Sequence, residues 1–144
     1  MKDLNYADPT KEQIIENPIK IKKLTIAIII IWKKELWSKV KNKKNIEKFY
    51  ALQELIRKLE EVYQKPIKEI KYNPETESCS YKPLEKTIVI NKSVSIISTL
   101  HEFAHHLYGP SELKACRWSV EVFKQTFPKA IKNLEWKGHM LMKK

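Results

Sequence analysis

A chain of 144 residues has the length of one domain, which excludes a multi-domain machine. Hydrophobic residues at 42% and charged residues at 31% are the balance of a globular protein, which excludes wholesale disorder. The 28 lysines and arginines against 17 acidic residues give a net charge of +11, which admits nucleic acid as a partner without naming it. Most of this excess is lysine spread over helical faces, with Arg57 and Arg117 the only arginines, whereas phosphate-reading surfaces favour arginine and interleaved aromatics. Cys79 and Cys116 form no CxxC pair and no disulfide framework, so a reducing compartment, the cytoplasm, is the expectation.

Residues 1–19 are polar and punctuated by Pro9 and Pro18, leaving room for one short helix near residues 10–16. Residues 21–40 are dense in isoleucine and tryptophan. Trp32, Leu36 and Val40 recur at helical spacing, although the β-branched run also suits a strand. The apolar stretch 24–32 is flanked by Lys22, Lys23, Lys33 and Lys34 and lacks a small-residue cleavage site, so it does not read as a secretory signal. As a helix it would cover only about 14 Å, half of a bilayer's hydrocarbon core, so no transmembrane segment is expected. A soft boundary falls in the basic stretch 39–44 and divides an N-terminal basic, isoleucine-rich extension, residues 1–42, from residues 43–144.

Residues 45–65 read as a scaffold helix. Phe49, Leu52, Ile56, Leu59 and Tyr63 share one face, Pro66 ends the pattern, and Glu54 with Lys58 and Glu61 with Lys65 stand at the favourable i,i+4 spacing on the other. Short extended pieces at 67–72, 79–82 and 87–91 should form a small sheet, with 87–91 offering an edge to an extended peptide. Ser93 reads as the cap of a helix running to Tyr108, stopped by Gly109 and Pro110. A further helix over 111–125 carries a seam of Leu113, Cys116, Val120 and Phe123. The tail, residues 128–144, holds Trp136, His139, Met140, Leu141 and Met142. It either packs on the body as a last helix or lies near the cleft described next.

Within the penultimate helix lies His101-Glu102-Phe103-Ala104-His105, an HExxH pattern. Histidines four apart stand one turn above each other, so His101 and His105 can grip one metal ion while Glu102 faces the adjoining space as a general base. At about 100° per residue, Ile96, Leu100, Phe103 and Leu107 define the core face, and the two histidines centre roughly 140° from it. That placement argues against ordinary core histidines. Catalytic zinc usually takes three protein ligands and keeps one position open. The candidates for the third are Glu112, Glu121, Glu135 and His139. Glu121 shares its face with Lys114, Arg117 and Lys124, whereas Glu112 sits in a first turn beside the small Ala115, Cys116 and Ser119, which makes it the choice. His106 reads as a solvated or supporting histidine.

The order of scaffold helix, small sheet, HEFAHH helix and glutamate-bearing helix resembles the minigluzincins, minimal gluzincin metallopeptidases, over residues 43–127. Weaker similarity, through HExxH and Glu112-x-x-Ala115, extends to the IrrE/ImmA-like proteases. The interval from His105 to Glu112 is shorter than in larger gluzincins. A metzincin fits worse, because Tyr108 and Ser111 stand where its glycine and third histidine would be. The resemblance implies an α+β metallopeptidase with one Zn2+ per chain on His101, His105 and Glu112, Glu102 as catalytic base, and a peptide or protein substrate. Minigluzincins include forms made as inactive precursors, which adds to an expectation drawn from the tail itself: following directly after the Glu112 helix and carrying apolar side chains and His139, it could lie over the cleft and hold the chain in a low-activity form. The rival expectations are a basic nucleic-acid-associated protein or a protein-interaction module whose metal site is only structural. The oxyanion donor stays open among Tyr108, His106 and His139.

Overall fold

The structure is a computed structural model and describes residues 8–144. It is α+β, as the sequence predicts. Helix α1 (Lys11–Glu16) opens on a reciprocal cap: Thr10 accepts from the Gln13 amide at 3.1 Å, and the Gln13 side chain accepts from the Thr10 amide at 2.8 Å. The isoleucine-rich segment resolves its ambiguity as helix. Helix α2 (Lys23–Trp32) passes through one π-helical turn, Lys33–Trp37, into the short α3 (Ser38–Val40). The extra residue in that turn lets Trp32 and Trp37 stack at 5.5 Å.

Helix α2 is bound to the body by polar as well as apolar contacts. Trp32 is 1% exposed and donates its indole N–H to the Ala51 carbonyl at 2.8 Å, and Thr25 is hydrogen-bonded to the Tyr63 hydroxyl at 2.7 Å. Ile29 and Trp32 lie in the same buried cluster as Leu52, Leu100 and Trp118. Trp32→Ala should therefore cost about 3–5 kcal/mol of folding free energy in urea denaturation. A cost near zero would mean that α2 is an appendage to the core. No described helix is long and apolar enough to cross a membrane.

Helix α4 (Asn45–Tyr63) is the scaffold, buried along Phe49, Leu52, Leu55, Ile56 and Leu59, and it stops where Gln64 turns left-handed at φ 52°. The i,i+4 pairs expected on its outer face do not close. Its ion pair among the described residues is Arg57–Glu60 at 3.0 Å, and Lys65 instead reaches the Leu107 carbonyl at 3.1 Å. Satisfying a carbonyl at the end of another helix outweighs a surface ion pair worth a few tenths of a kcal/mol.

Strands β1 (Glu69–Tyr72), β2 (Ser80–Lys82) and β3 (Thr87–Ile90) form a sheet in the order β1-β3-β2. β3 runs parallel to β1 and antiparallel to β2, and all four of its residues are buried. This corrects the expectation that 87–91 supplies a free edge: an uninterrupted Thr-Ile-Val-Ile run is the pattern of a central strand covered on both faces. The unpaired edges belong to β1 and β2.

Helix α5 (Ile96–Tyr108) is capped by Ser95, which accepts from the Ser98 amide at 3.2 Å, and not by Ser93. Ser93 instead donates to the Asn91 side chain at 2.7 Å, and Val94 between the two serines has φ 42°, which breaks the helix at that point. Helix α6 (Glu112–Thr126) buries Ala115, Trp118, Val122 and Thr126 with Cys116, Ser119 and Phe123. The expected seam is thus rotated: Leu113 and Val120 are half-buried, because the bulk of Trp118 claims the centre. The tail forms no final α-helix. After a 3-10 turn, Ala130–Asn133, strands β4 (Leu134–Lys137) and β5 (Met140–Lys143) pair as a hairpin closed by Gly138 and His139.

Candidate metal centre

The centre is built where α5 turns into α6. Gly109 has φ 80° and ψ −151°, a conformation open in practice only to glycine, and Pro110 and Ser111 follow. Ser111 accepts from the Lys114 amide at 3.2 Å and so starts α6 at Glu112. The turn lays the first residue of α6 across the histidine face of α5. Glu112 also sits at the positive end of its own helix, which favours the ionised carboxylate.

Three donor atoms converge there. His101 Nε2 lies 3.0 Å and His105 Nε2 2.5 Å from the same Glu112 oxygen, Oε1, and the donor atoms of the three residues all lie within 4.8 Å of one another. Ligand atoms on a tetrahedral zinc stand about 3.3 Å apart for bonds of about 2.05 Å, so to take one ion the His105–Glu112 separation would open by about 0.8 Å and the His101–Glu112 separation by about 0.3 Å. The ring of His105 is fixed from behind. Its Nδ1–H donates to the Gly109 carbonyl at 2.8 Å, which turns Nε2 toward Glu112: the protonated ring donates there to the carboxylate, and loss of that proton frees a lone pair for a metal ion. The residues that the sequence singles out as ligands thus form a group able to hold a metal ion.

Burial works against ionising Glu112, but hydrogen bonds from His101 and His105 outweigh it and hold the carboxyl far below its usual range. His105 is likewise opposed by burial, yet Glu112 and the Gly109 carbonyl raise its pKa above the ordinary value. A proton on His105 Nε2 competes with a metal ion. Metal affinity should therefore climb with pH up through the raised His105 pKa, by about tenfold per unit for one displaced proton. Calorimetric titration with zinc at about pH 6 and about pH 8 checks the sign, and an affinity that falls with pH would contradict it.

Glu102 is half-buried and opens onto a cleft of about 480 Å³ between α5 and β2, lined with His105, Tyr81, Cys79 and Gly109 among others. Burial pushes its pKa upward, opposed by His101 and His105, reinforced by Glu112 and opposed again by the backbone N–H of Tyr81. A carboxylate raised in this way is a stronger base than one in water.

Two groups beyond the predicted ligands reach the centre. His139, from the turn of the β4–β5 hairpin, places Nε2 3.2 Å from the second Glu112 oxygen, Oε2. The Cys116 thiol lies 3.9 Å from His101 Nδ1, 4.0 Å from Glu112 Oε2 and 3.8 Å from the His139 carbonyl. Burial, followed by the Glu112 charge, pushes that thiol up to about 12, so it is protonated at neutral pH. Glu112, Cys116 and His139 make a second group able to hold a metal ion, and it shares Glu112 with the first. The hairpin leaves a gap of only about 10 Å³ where it meets His101 and Cys116. Gly138-His139, a glycine-containing two-residue loop between the alternating Leu134-Glu135-Trp136-Lys137 and the apolar Met140-Leu141-Met142, is the signal in the sequence that marks this hairpin.

The other candidates point elsewhere. Glu121 is bound by Gln125 at 2.7 Å, and Glu135 lies on the exposed face of β4. Tyr108 packs against the core beside Tyr63. His106 spends both ring nitrogens away from the centre, Nε2 on the Lys65 carbonyl at 2.9 Å and Nδ1 on the Tyr81 hydroxyl at 2.7 Å. Burial lowers its pKa, so the ring is neutral at pH 7 and the Tyr81 O–H donates to Nδ1.

No family model, curated protein or solved structure matches the chain. The functional reading therefore stands on the residues alone.

Proposed function

We propose that the protein is a zinc-dependent metallopeptidase of the gluzincin type, with His101, His105 and Glu112 as ligands, Glu102 as general base and the C-terminal hairpin as a restraint. One observation carries the reading: two imidazole Nε2 atoms meet a single carboxylate oxygen while a second carboxylate, one residue from His101, looks into an open cleft beside them. Two neutral nitrogens and one carboxylate oxygen are a zinc donor set of the catalytic kind. Bound there, zinc would supply a Lewis acid that polarises a peptide carbonyl and acidifies water.

The chain's own residues perform the rest. Glu102 takes a proton from the attacking water and returns it to the leaving amine, and its burial keeps its pKa closer to neutrality than that of a surface glutamate. The unpaired edge of β2 borders the same cleft and is the edge on which an extended peptide would lie. His106 and Tyr108 are engaged elsewhere and are not free to donate to an oxyanion in this arrangement.

His139 supports restraint. Its imidazole stands on the second oxygen of Glu112, so the hairpin is held against the proposed ligand and crowds the side of the centre next to it. If that contact favours the closed arrangement by about 1.4 kcal/mol, His139→Ala in the full chain raises peptide turnover about tenfold. Equal or lower turnover by zinc-loaded His139→Ala would remove the restraint from the account.

The second group, Glu112 with Cys116 and His139, favours a second reading, in which the hairpin closes a purely structural metal site. That reading expects loss of folding stability on chelation and no hydrolysis from His139→Ala.

A further inference from the structure

Glu102 and His106 stand one helical turn apart on the same face of α5, and one residue of the facing sheet spans both. Tyr81 lines the same cleft as Glu102, and its hydroxyl donates to His106 Nδ1 at 2.7 Å with the two rings edge to face at 5.4 Å. His106 is itself anchored, since its Nε2–H donates to the Lys65 carbonyl at 2.9 Å just past the end of α4. Lys65 grips the same end of α5 again through its ammonium on the Leu107 carbonyl at 3.1 Å.

The strand that carries Tyr81 needs such a tie. β2 is three residues long and pairs on one side only, with β3, while its other edge borders the cleft. A short edge strand held by one ladder frays readily.

We propose that His106 is a positioning residue: through Tyr81 it pins the edge strand β2 to α5 and so fixes the cleft wall that faces Glu102. The role in substrate binding rests on the peptidase reading; the pinning itself does not. A chain of hydrogen bonds from Lys65 through His106 to Tyr81 connects the end of the scaffold helix to the mouth of the site. Removing one link frees the strand without touching a metal ligand.

The test compares Tyr81→Phe, which deletes only the hydroxyl, with His106→Phe and His106→Gln in the full chain. Glutamine carries an acceptor and a donor at nearly the separation of the two ring nitrogens, so it can restore both hydrogen bonds. Amide hydrogen exchange in β2 should quicken roughly 2- to 10-fold in Tyr81→Phe, the effect of losing one hydrogen bond, at least as much in His106→Phe, which loses two, and stay near wild type in His106→Gln. Zinc stoichiometry should be unchanged in all three. With a fluorogenic peptide mixture, KM should rise several-fold in the phenylalanine variants while kcat is nearly held. Wild-type exchange in β2 of both phenylalanine variants would overturn the proposal, and so would loss of zinc from His106→Phe. Because exchange and zinc content need no turnover, they decide the pinning even if the protein cleaves no peptide.

Discussion

Glu102→Gln is expected to keep the fold and the metal while losing about 10²- to 10⁴-fold in peptide turnover. The amide matches the carboxylate in size but cannot accept the water's proton. The change also relieves the site of a buried carboxyl whose charge is disfavoured by burial and by Glu112, so the folded state should gain slightly if it shifts at all. Steady-state kinetics on zinc-loaded protein measure the first effect and urea denaturation the second. Undiminished turnover would strip Glu102 of its role.

The other large effect is expected from Glu112→Ala. Glu112 Oε1 is the point on which His101 and His105 both converge, and Oε2 is where His139 arrives, so one truncation removes a ligand and the hub of three contacts. Zinc affinity should fall by well over 100-fold, since a three-ligand set loses a third of its donors and its only negative charge. The metal-free protein is affected as well. Two histidines then face each other without a counter-charge, and the hydrogen bonds from His101 and His105 that depress the Glu112 pKa vanish. In the metal-free wild type that stabilisation is complete above the unfolded carboxylate pKa and is lost as pH falls through the depressed folded value, so acid denaturation should begin at higher pH in Glu112→Ala. Retained zinc in Glu112→Ala, with loss in His139→Ala, would transfer the third ligand to the hairpin.

Much of this was legible in the sequence because it depends on local spacing. The HExxH periodicity places two imidazoles one turn apart whatever surrounds them, and the small side chains after Glu112 let α6 approach α5. The cap at Thr10, the stop at Gly109 and the apolar face of α4 follow from residue chemistry within one or two turns. What the sequence hid is tertiary. Whether Thr87–Ile90 is an edge or a centre depends on a parallel partner, β1, some 18 positions earlier in the register, which no local pattern records. Ser93 and Ser95 are equal as caps until the backbone at Val94 turns positive. His139 reaches the centre through a hairpin, where the sequence suggests a final helix or a tail lying near the cleft. His106 and Tyr81 are 25 residues apart and meet only because β2 crosses α5.

Metal analysis of the full chain, purified without added zinc or chelator, tests the central claim most directly. One zinc per chain, absent from His105→Ala prepared in the same way, is the result this account predicts. A folded wild-type protein that carries no divalent metal and takes up none in a zinc titration would contradict it.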